Sequence, residues 1–292
     1  MIPAFHCVLD TGIPDGHDDP QNFDLFQWGG AIEKIINEIA TPAPHMLIAA
    51  AADTAVAASP APPEIETVRS DLSDGKRAIK VIRIKNTKPL VFKAKIAVDA
   101  DGAARAYHPQ DVPDAVDLLV HANNFSKKFI QGAPKNGKTG KGPRPGFFVS
   151  ATALQKGEDH DADAYVDAEF VPYIVLPAQF AAGVALGDLC TVINLNNDRT
   201  TSAIFADTNP NVGEVSVRAA IALHIQDPSF PITELARHGG DEKANYVYVV
   251  YPGSRFAPRA AAPHWPVEKI QSVAEPLFEA WGGLAMVKRL FA

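Results

Sequence analysis

Cysteine is scarce. Cys7 and Cys190 are the only two in 292 residues, far apart and in unlike settings, so a disulfide framework is not expected. No apolar run is long enough to suggest a membrane span. Met1 to Asp19 carries no lysine or arginine and no continuous apolar stretch, and Pro3, Pro14 and Gly16 punctuate it, which excludes a secretory signal peptide there. The chain is therefore expected to act in the cytoplasm or to leave by a leaderless route. Charge is moderate, at 21% of residues and a net −7, against 47% hydrophobic residues. That balance describes a globular chain with one sizeable domain and an appendage.

Ile32, Ile35, Ile36 and Ile39 share one face of an expected amphipathic helix, with Glu33, Lys34, Asn37 and Glu38 opposite. Ala49 to Pro63 is almost wholly Ala, Ser, Thr, Val and Pro and reads as a linker, although its alanine run also suits a helix. Lys76 to Lys95 holds eight basic residues and no acid, over two strand-like alternations at Ile79–Ile84 and Leu90–Val98. These bases suit a solvated strand face, or else a surface that meets an acidic partner. Lys127 to Arg144 carries six more and reads as a long mobile surface loop. Within it, Gly132 to Thr139 satisfies the phosphate-loop pattern. The flanks lack the buried strand and the following helix which that loop needs, so nucleotide binding is not expected.

Further strands are expected at Phe147–Ala151, at Phe170–Leu176 with a bend at Pro172, at Leu189–Leu195, at Ser202–Ala206 and at Tyr246–Tyr251. Asn196 to Arg199 reads as a hairpin turn. The acidic turn Glu158–Asp163 reads as a solvated loop, and His108 as a structural histidine. Asp167 and Glu169 alternate on one face, at a cleft wall or an exposed edge. Pro266 to Phe291 is expected to form one or two helices, interrupted at Pro276 and at Gly282-Gly283. Strands separated by turns argue against a parallel doubly wound sheet.

The chemistry is sought at Ala203 to Ser216. An apolar run ends on Asp207, and a helically spaced segment starts just after Glu214. Between them, Asn209, Pro210, Asn211 and Gly213 favour turns. Two carboxylates at a sheet rim can divide acid and base roles when their surroundings differ. Inverting glycoside hydrolysis needs such a pair with carboxyl groups roughly 6.5 to 9.5 Å apart. The plainer alternative is that Asp207 caps a turn and Glu214 sits in the first turn of a helix. Asp99-Ala100-Asp101-Gly102 begins like a calcium loop, but no bidentate acid follows at the required distance, and no metal site is expected.

Asp207-Thr208-Asn209 followed by Gly213-Glu214-Val215-Ser216 resembles the Asp-Thr-Asn, Gly-Glu-Ala-Ser signature of the fungal chitosanases of glycoside hydrolase family 75 and their bacterial relatives. Val98 to Gly102 resembles the fungal Asp-Ile-Asp-Cys-Asp-Gly segment, and Asp99 to Pro109 the bacterial branch. Tyr165–Pro177, Gly187–Leu189 and Tyr246–Ser254 continue the resemblance in order, over roughly residues 78 to 256. The loop here is two residues shorter than the fungal one and carries Pro210 in place of Gly. Fungal members use more cysteine, and its scarcity here fits a reducing compartment.

The resemblance implies an endo-acting, inverting hydrolase of β-1,4-linked glucosamine-containing polysaccharide. It assigns Asp207 and Glu214 as catalytic, with Glu214 as acid and Asp207 as base or the reverse; Asp99, Asp101, Tyr173, Thr208 and Asn209 are expected to bind substrate. The turn-separated strands point to a mainly β fold, a small closed barrel with flanking helices, and the resemblance implies one of double-psi type. Residues 1–75 are then an N-terminal extension, 76–262 the barrel domain and 263–292 a helical segment packed on it. No cofactor and no nucleic-acid partner are expected, and the oligomeric state is left open. Residues 154–260 supply 14 acidic and 7 basic side chains, which suits a polycationic glycan. The basic stretches upstream keep open a peptidoglycan-type substrate of a leaderless antibacterial toxin, or a carbohydrate-binding module without chemistry.

Overall fold

The computed structural model describes residues 62–226, 230–255 and 265–291. The helix expected over Ile32–Ile39, nearly all of the Ala-Pro-rich stretch and Cys7 lie outside them. The described chain is mainly β, with four flanking helices. Its first strands are β1 (Ile65–Ser73), β2 (Ala78–Ile84) and β3 (Leu90–Asp99), followed by the two-residue strands β4 (Pro134–Lys135) and β5 (Lys138–Thr139). Then come β6 (Tyr173–Leu176), β7 (Leu189–Asn194), β8 (Arg199–Thr208) and β9 (Glu214–Ser216). Helices α1 (Val217–Ala222) and α2 (Ile232–Leu235) precede β10 (Asp241–Tyr251), and α3 (Val267–Trp281) and α4 (Gly283–Phe291) end the chain.

Six strands close a barrel in the order β3-β10-β7-β8-β6-β9, with β9 returning to β3. Two pairings are parallel, β6 with β8 and β3 with β9; the rest of the ring is antiparallel. The β1–β2 hairpin is appended to the start of β3 through the pairing of Ile82 with Val91. Strands β6 and β7 are buried along their whole length. That explains their continuous apolar, β-branched character: one face fills the barrel and the other is covered. Phe92 and Tyr248 stack at 4.7 Å between ring centres, with Phe180 tilted against Phe92. Tyr246 and Tyr248 are core residues, as their spacing suggested. The hydroxyl of Tyr248 donates to the Lys95 carbonyl and that of Tyr251 pairs with Thr191, so burial leaves neither unsatisfied.

Several local expectations are corrected. Phe147–Ala151 is not a strand; only Phe148 bridges, to Ile130. The strand expected from Phe170 begins at Tyr173, after Pro172. Glu214 opens a strand rather than a helix, and α1 starts three residues later, where the Ser216 hydroxyl caps it by accepting from the Ala219 N–H. Helix α3 runs through Pro276 and breaks only at Gly282. Its buried face, including Ile270, Val273, Leu277 and Trp281, packs on β7 and β8, and this offsets the missing backbone bond.

The phosphate-loop pattern folds as the β4–β5 hairpin, turning on Asn136-Gly137 with Asn136 at φ 52°. Asn-Gly is the preferred pair for such a turn, so Gly137 has a conformational use here, and the pattern's Lys138 pairs with Asp159. The basic loop around it is pinned rather than loose. Lys128 and Lys138 both reach Asp159, and Lys141 lies near Glu158 and Asp161. The acidic turn is thus the loop's counterion. Upstream, Arg77 pairs with Asp74, Arg83 with Glu66, Lys85 with Glu64, and both Lys76 and Lys95 with Glu242.

Candidate active site

Strand β6 brings the two carboxylates of the 203–216 segment together. Val175 is in register with Asp207 on β8 and with Glu214 on β9. Residues paired across neighbouring strands face the same way, so Asp207, Val175 and Glu214 form a row. Two interstrand steps put the Asp207 and Glu214 backbones roughly 9 to 10 Å apart. The turn between them depends on Gly213, at φ 90°, where an added Cβ would stand 2.8 Å from the Lys95 carbonyl oxygen. The Gly213 carbonyl accepts from the Ala97 N–H at 2.7 Å and so locks β9 onto β3.

Both side chains line a groove of about 400 Å³, together with Asp99, Asp101, Thr208 and Asn209. The 104–126 segment supplies the opposite wall: Tyr107, Asp117, His121 and Asn123. His121, Asn123 and Thr208 are exposed, so the groove opens to solvent, while Asp99, Asp101 and Asp207 form its buried floor.

Each member has defined partners. Asp207 Oδ1 accepts from the Ala153 N–H at 2.8 Å. Glu214 Oε2 accepts from Asn209 Nδ2 at 3.2 Å, and Asn209 is itself oriented by accepting from the Asn211 N–H. Asp99 Oδ1 accepts from the Asp101 N–H at 2.8 Å. Asp101 is the most heavily held. Its Oδ1 accepts from Ser126 Oγ at 2.8 Å and Ser150 Oγ at 3.0 Å, and its Oδ2 from Asn123 Nδ2 at 2.9 Å. Both serine hydroxyls also accept a backbone N–H, from Ala151 and Gly102, and they lie 3.2 Å from each other. Gly102 permits this turn: at φ 82°, a Cβ there would stand 2.0 Å from the Val166 carbonyl oxygen. Asp117 Oδ1 accepts from the Leu118 N–H and from His121 Nδ1, each at 2.7 Å.

Tyr173 is set back from the groove. It is fully buried, and its hydroxyl donates to the Asp101 carbonyl at 2.9 Å, so it supports the floor without reaching the open space. Asp167 and Glu169 are also elsewhere. Asp167 caps its own turn by accepting from the Glu169 N–H, Glu169 pairs with Arg105, and both border a separate cavity of about 340 Å³.

Burial dominates the electrostatics, and the crowding of like charges adds to it. Burial and then the charge of Asp101 push both Asp207 and Glu214 up to about 7, against the pull of the Ala153 N–H on Asp207 and of Lys95 and Asn209 on Glu214. Asp99 is driven well above the carboxylate range by burial, then by Asp101, Glu214 and Asp207. Burial raises Asp101 as well, but the Ser126, Ser150 and Tyr107 hydroxyls oppose it. Asp117 is raised by burial against the pull of His121. The groove therefore retains protons near neutral pH, as general acid catalysis requires.

Asp99, Asp101 and Asp207 each bring one oxygen within 4.8 Å of the others. A hard cation tolerates such spacing, but the Asp101 oxygens are already occupied by three donors, and the geometry suits shared protons equally well.

The sequence reading singled out neither Tyr107, Asp117, His121 nor Asn123. Tyr107 lies inside a matched block, but Asp117 and Asn123 sit on irregular backbone and His121 ends a three-residue 3-10 turn, Leu119–His121, too short to show a period. Comparison of the chain with models of known protein families and with curated protein sequences gave no match.

Proposed function

We propose that this protein is an inverting, endo-acting glycoside hydrolase of β-1,4-linked glucosamine-containing glycan, related to the family 75 chitosanases, with Asp207 and Glu214 as its acid–base pair. The observation that carries the reading is the register of both residues on Val175, which sets them two strands apart over one open groove. That spacing suits a sugar ring with a water on its far side. One carboxyl group protonates the glycosidic oxygen as the bond to the anomeric carbon breaks. The other takes a proton from the water that attacks this carbon from the opposite face.

The lining favours a cationic glycan. It holds five carboxyl groups and His121, with no lysine or arginine among its described residues. The basic stretches that had favoured an anionic substrate are largely paired within the chain.

Incubation with chitosan and, separately, with purified peptidoglycan tests the proposal. Reducing ends should appear from chitosan, with the α-anomer formed first in a proton NMR time course. Release from peptidoglycan alone reassigns the substrate. Saturable binding without product from either glycan makes the protein a binding module.

A further inference from the structure

We propose that Asp101 is a positioning residue: an anion fixed beneath the groove whose field keeps a proton in the Asp207–Glu214 pair. The kinetic part of its test rests on the hydrolase reading; the arrangement itself does not.

The geometry sets Asp101 apart from its neighbours. The partners of its two carboxylate oxygens are all donors: Ser126 Oγ, Ser150 Oγ and Asn123 Nδ2. Each serine accepts a backbone N–H and has one proton to give, to Asp101 at 2.8 and 3.0 Å or to the other serine at 3.2 Å; the shorter contacts favour the carboxylate, so an ionised Asp101 is better served here than a protonated one. Asp99 is met by the Asp101 N–H and the Tyr173 hydroxyl, and Asp207 by the Thr208 and Ala153 N–H groups, fewer donors than Asp101 has. Among three carboxyl groups with oxygens within 4.8 Å, the one with the most donors keeps the charge, and the others hold protons.

The remaining groups facing the pair do not cancel this field. Asp99 and Lys95 come from β3, Asp117 and His121 from the opposite wall, and Tyr107 and Tyr173 are neutral phenols held above their usual range by burial. Lys95 is drawn away by Glu242, and His121 is engaged by Asp117. Asp101 has a donor on each oxygen and is only 7% exposed, so its influence is exerted chiefly through the other carboxyl groups.

The test is Asp101→Asn, which keeps the size and an acceptor for the serines while removing the charge. In the pH profile of chitosan hydrolysis, both limbs should move to lower pH by about one to two units, because a nearby anion raises both the acid and the base. A fall in kcat with both limbs unmoved would assign Asp101 a purely structural role and overturn the proposal. Carbon-13 carboxyl titration of the full chain gives a readout independent of hydrolysis: Asp207 and Glu214 should titrate lower in the variant than in the parent, and unchanged midpoints overturn the idea. If the parent releases no product from any glycan, the hydrolase reading fails and this titration still decides the role of Asp101. Should Asp101→Asn not fold, Ser126→Ala removes one donor; the same midpoints should fall by a smaller amount, and no displacement there is equally fatal.

Discussion

Glu214 meets the groove with a single amide donor, and Asp207 with a backbone one. Under the proposed mechanism, replacing either by its amide removes the proton donor in one case and the proton acceptor in the other. Glu214→Gln and Asp207→Asn should each lower kcat by about 10²- to 10⁴-fold, read as reducing ends released per enzyme. Their stability should change in the opposite sense. A carboxyl group raised to about 7 in the folded protein contributes stability that is fully present below its unfolded pKa, and this contribution is lost as pH rises through the folded value. Asp207→Asn should therefore melt higher than the parent at pH 8, by an amount on the order of 2–4 kcal/mol, and the difference should vanish near pH 4. Thermal melts at the two pH values check the sign. At this scale much was legible beforehand: turn-forming residues between a strand end and a helical period marked Asp207 and Glu214. Asp117, His121 and Asn123 left no comparable trace, because long-range packing and not local periodicity brings them to the wall.

Among the elements, β9 is only three residues long, yet it joins β3 to β6 and completes the ring. Its position depends on the turn at Gly213. Gly213→Ala meets both an unfavourable backbone conformation and the Lys95 carbonyl, so a loss of about 1–3 kcal/mol is expected. A loss of activity at temperatures where the variant remains folded should accompany it, as Glu214 shifts against Asp207; a melt and a kcat measured on one preparation test both. The pinned basic loop makes a contrasting case. Asp159 serves Lys128 and Lys138 at a half-exposed position. Asp159→Asn should cost less than about 1 kcal/mol, while limited proteolysis between residues 127 and 144 should quicken. Element boundaries were harder to read than their existence. Pro276 looked like a helix end because local rules penalise proline, and the apolar face of α3 against β7 and β8 outweighs that penalty. The glycines around Lys135 imitated a nucleotide motif because a tight hairpin demands the same residues.

For the molecule as a whole, charge is segregated. Acids concentrate in the groove, while many bases are neutralised by partners elsewhere on the surface. A polycationic substrate should then be drawn in electrostatically, and its KM should rise with added salt while kcat stays nearly constant. Initial rates over a salt series decide this, and a KM indifferent to salt would count against a cationic glycan. Barrel class was readable from turn-separated strands. The strand order was not, since the β3–β9 and β6–β8 pairings join segments whose partnership nothing in the local sequence announces.

Val175 gives the barrel a ruler. Since β6 is bonded on both flanks, the backbone gap between Asp207 and Glu214 is held at two strand widths, and only their side-chain rotamers can trim it. A carboxylate moved onto β6 itself would stand one width from either partner, about 5 Å, the separation at which such pairs form a covalent sugar intermediate and preserve configuration. Under the proposed chemistry, moving one carboxylate by a single strand would therefore be expected to exchange inversion for retention.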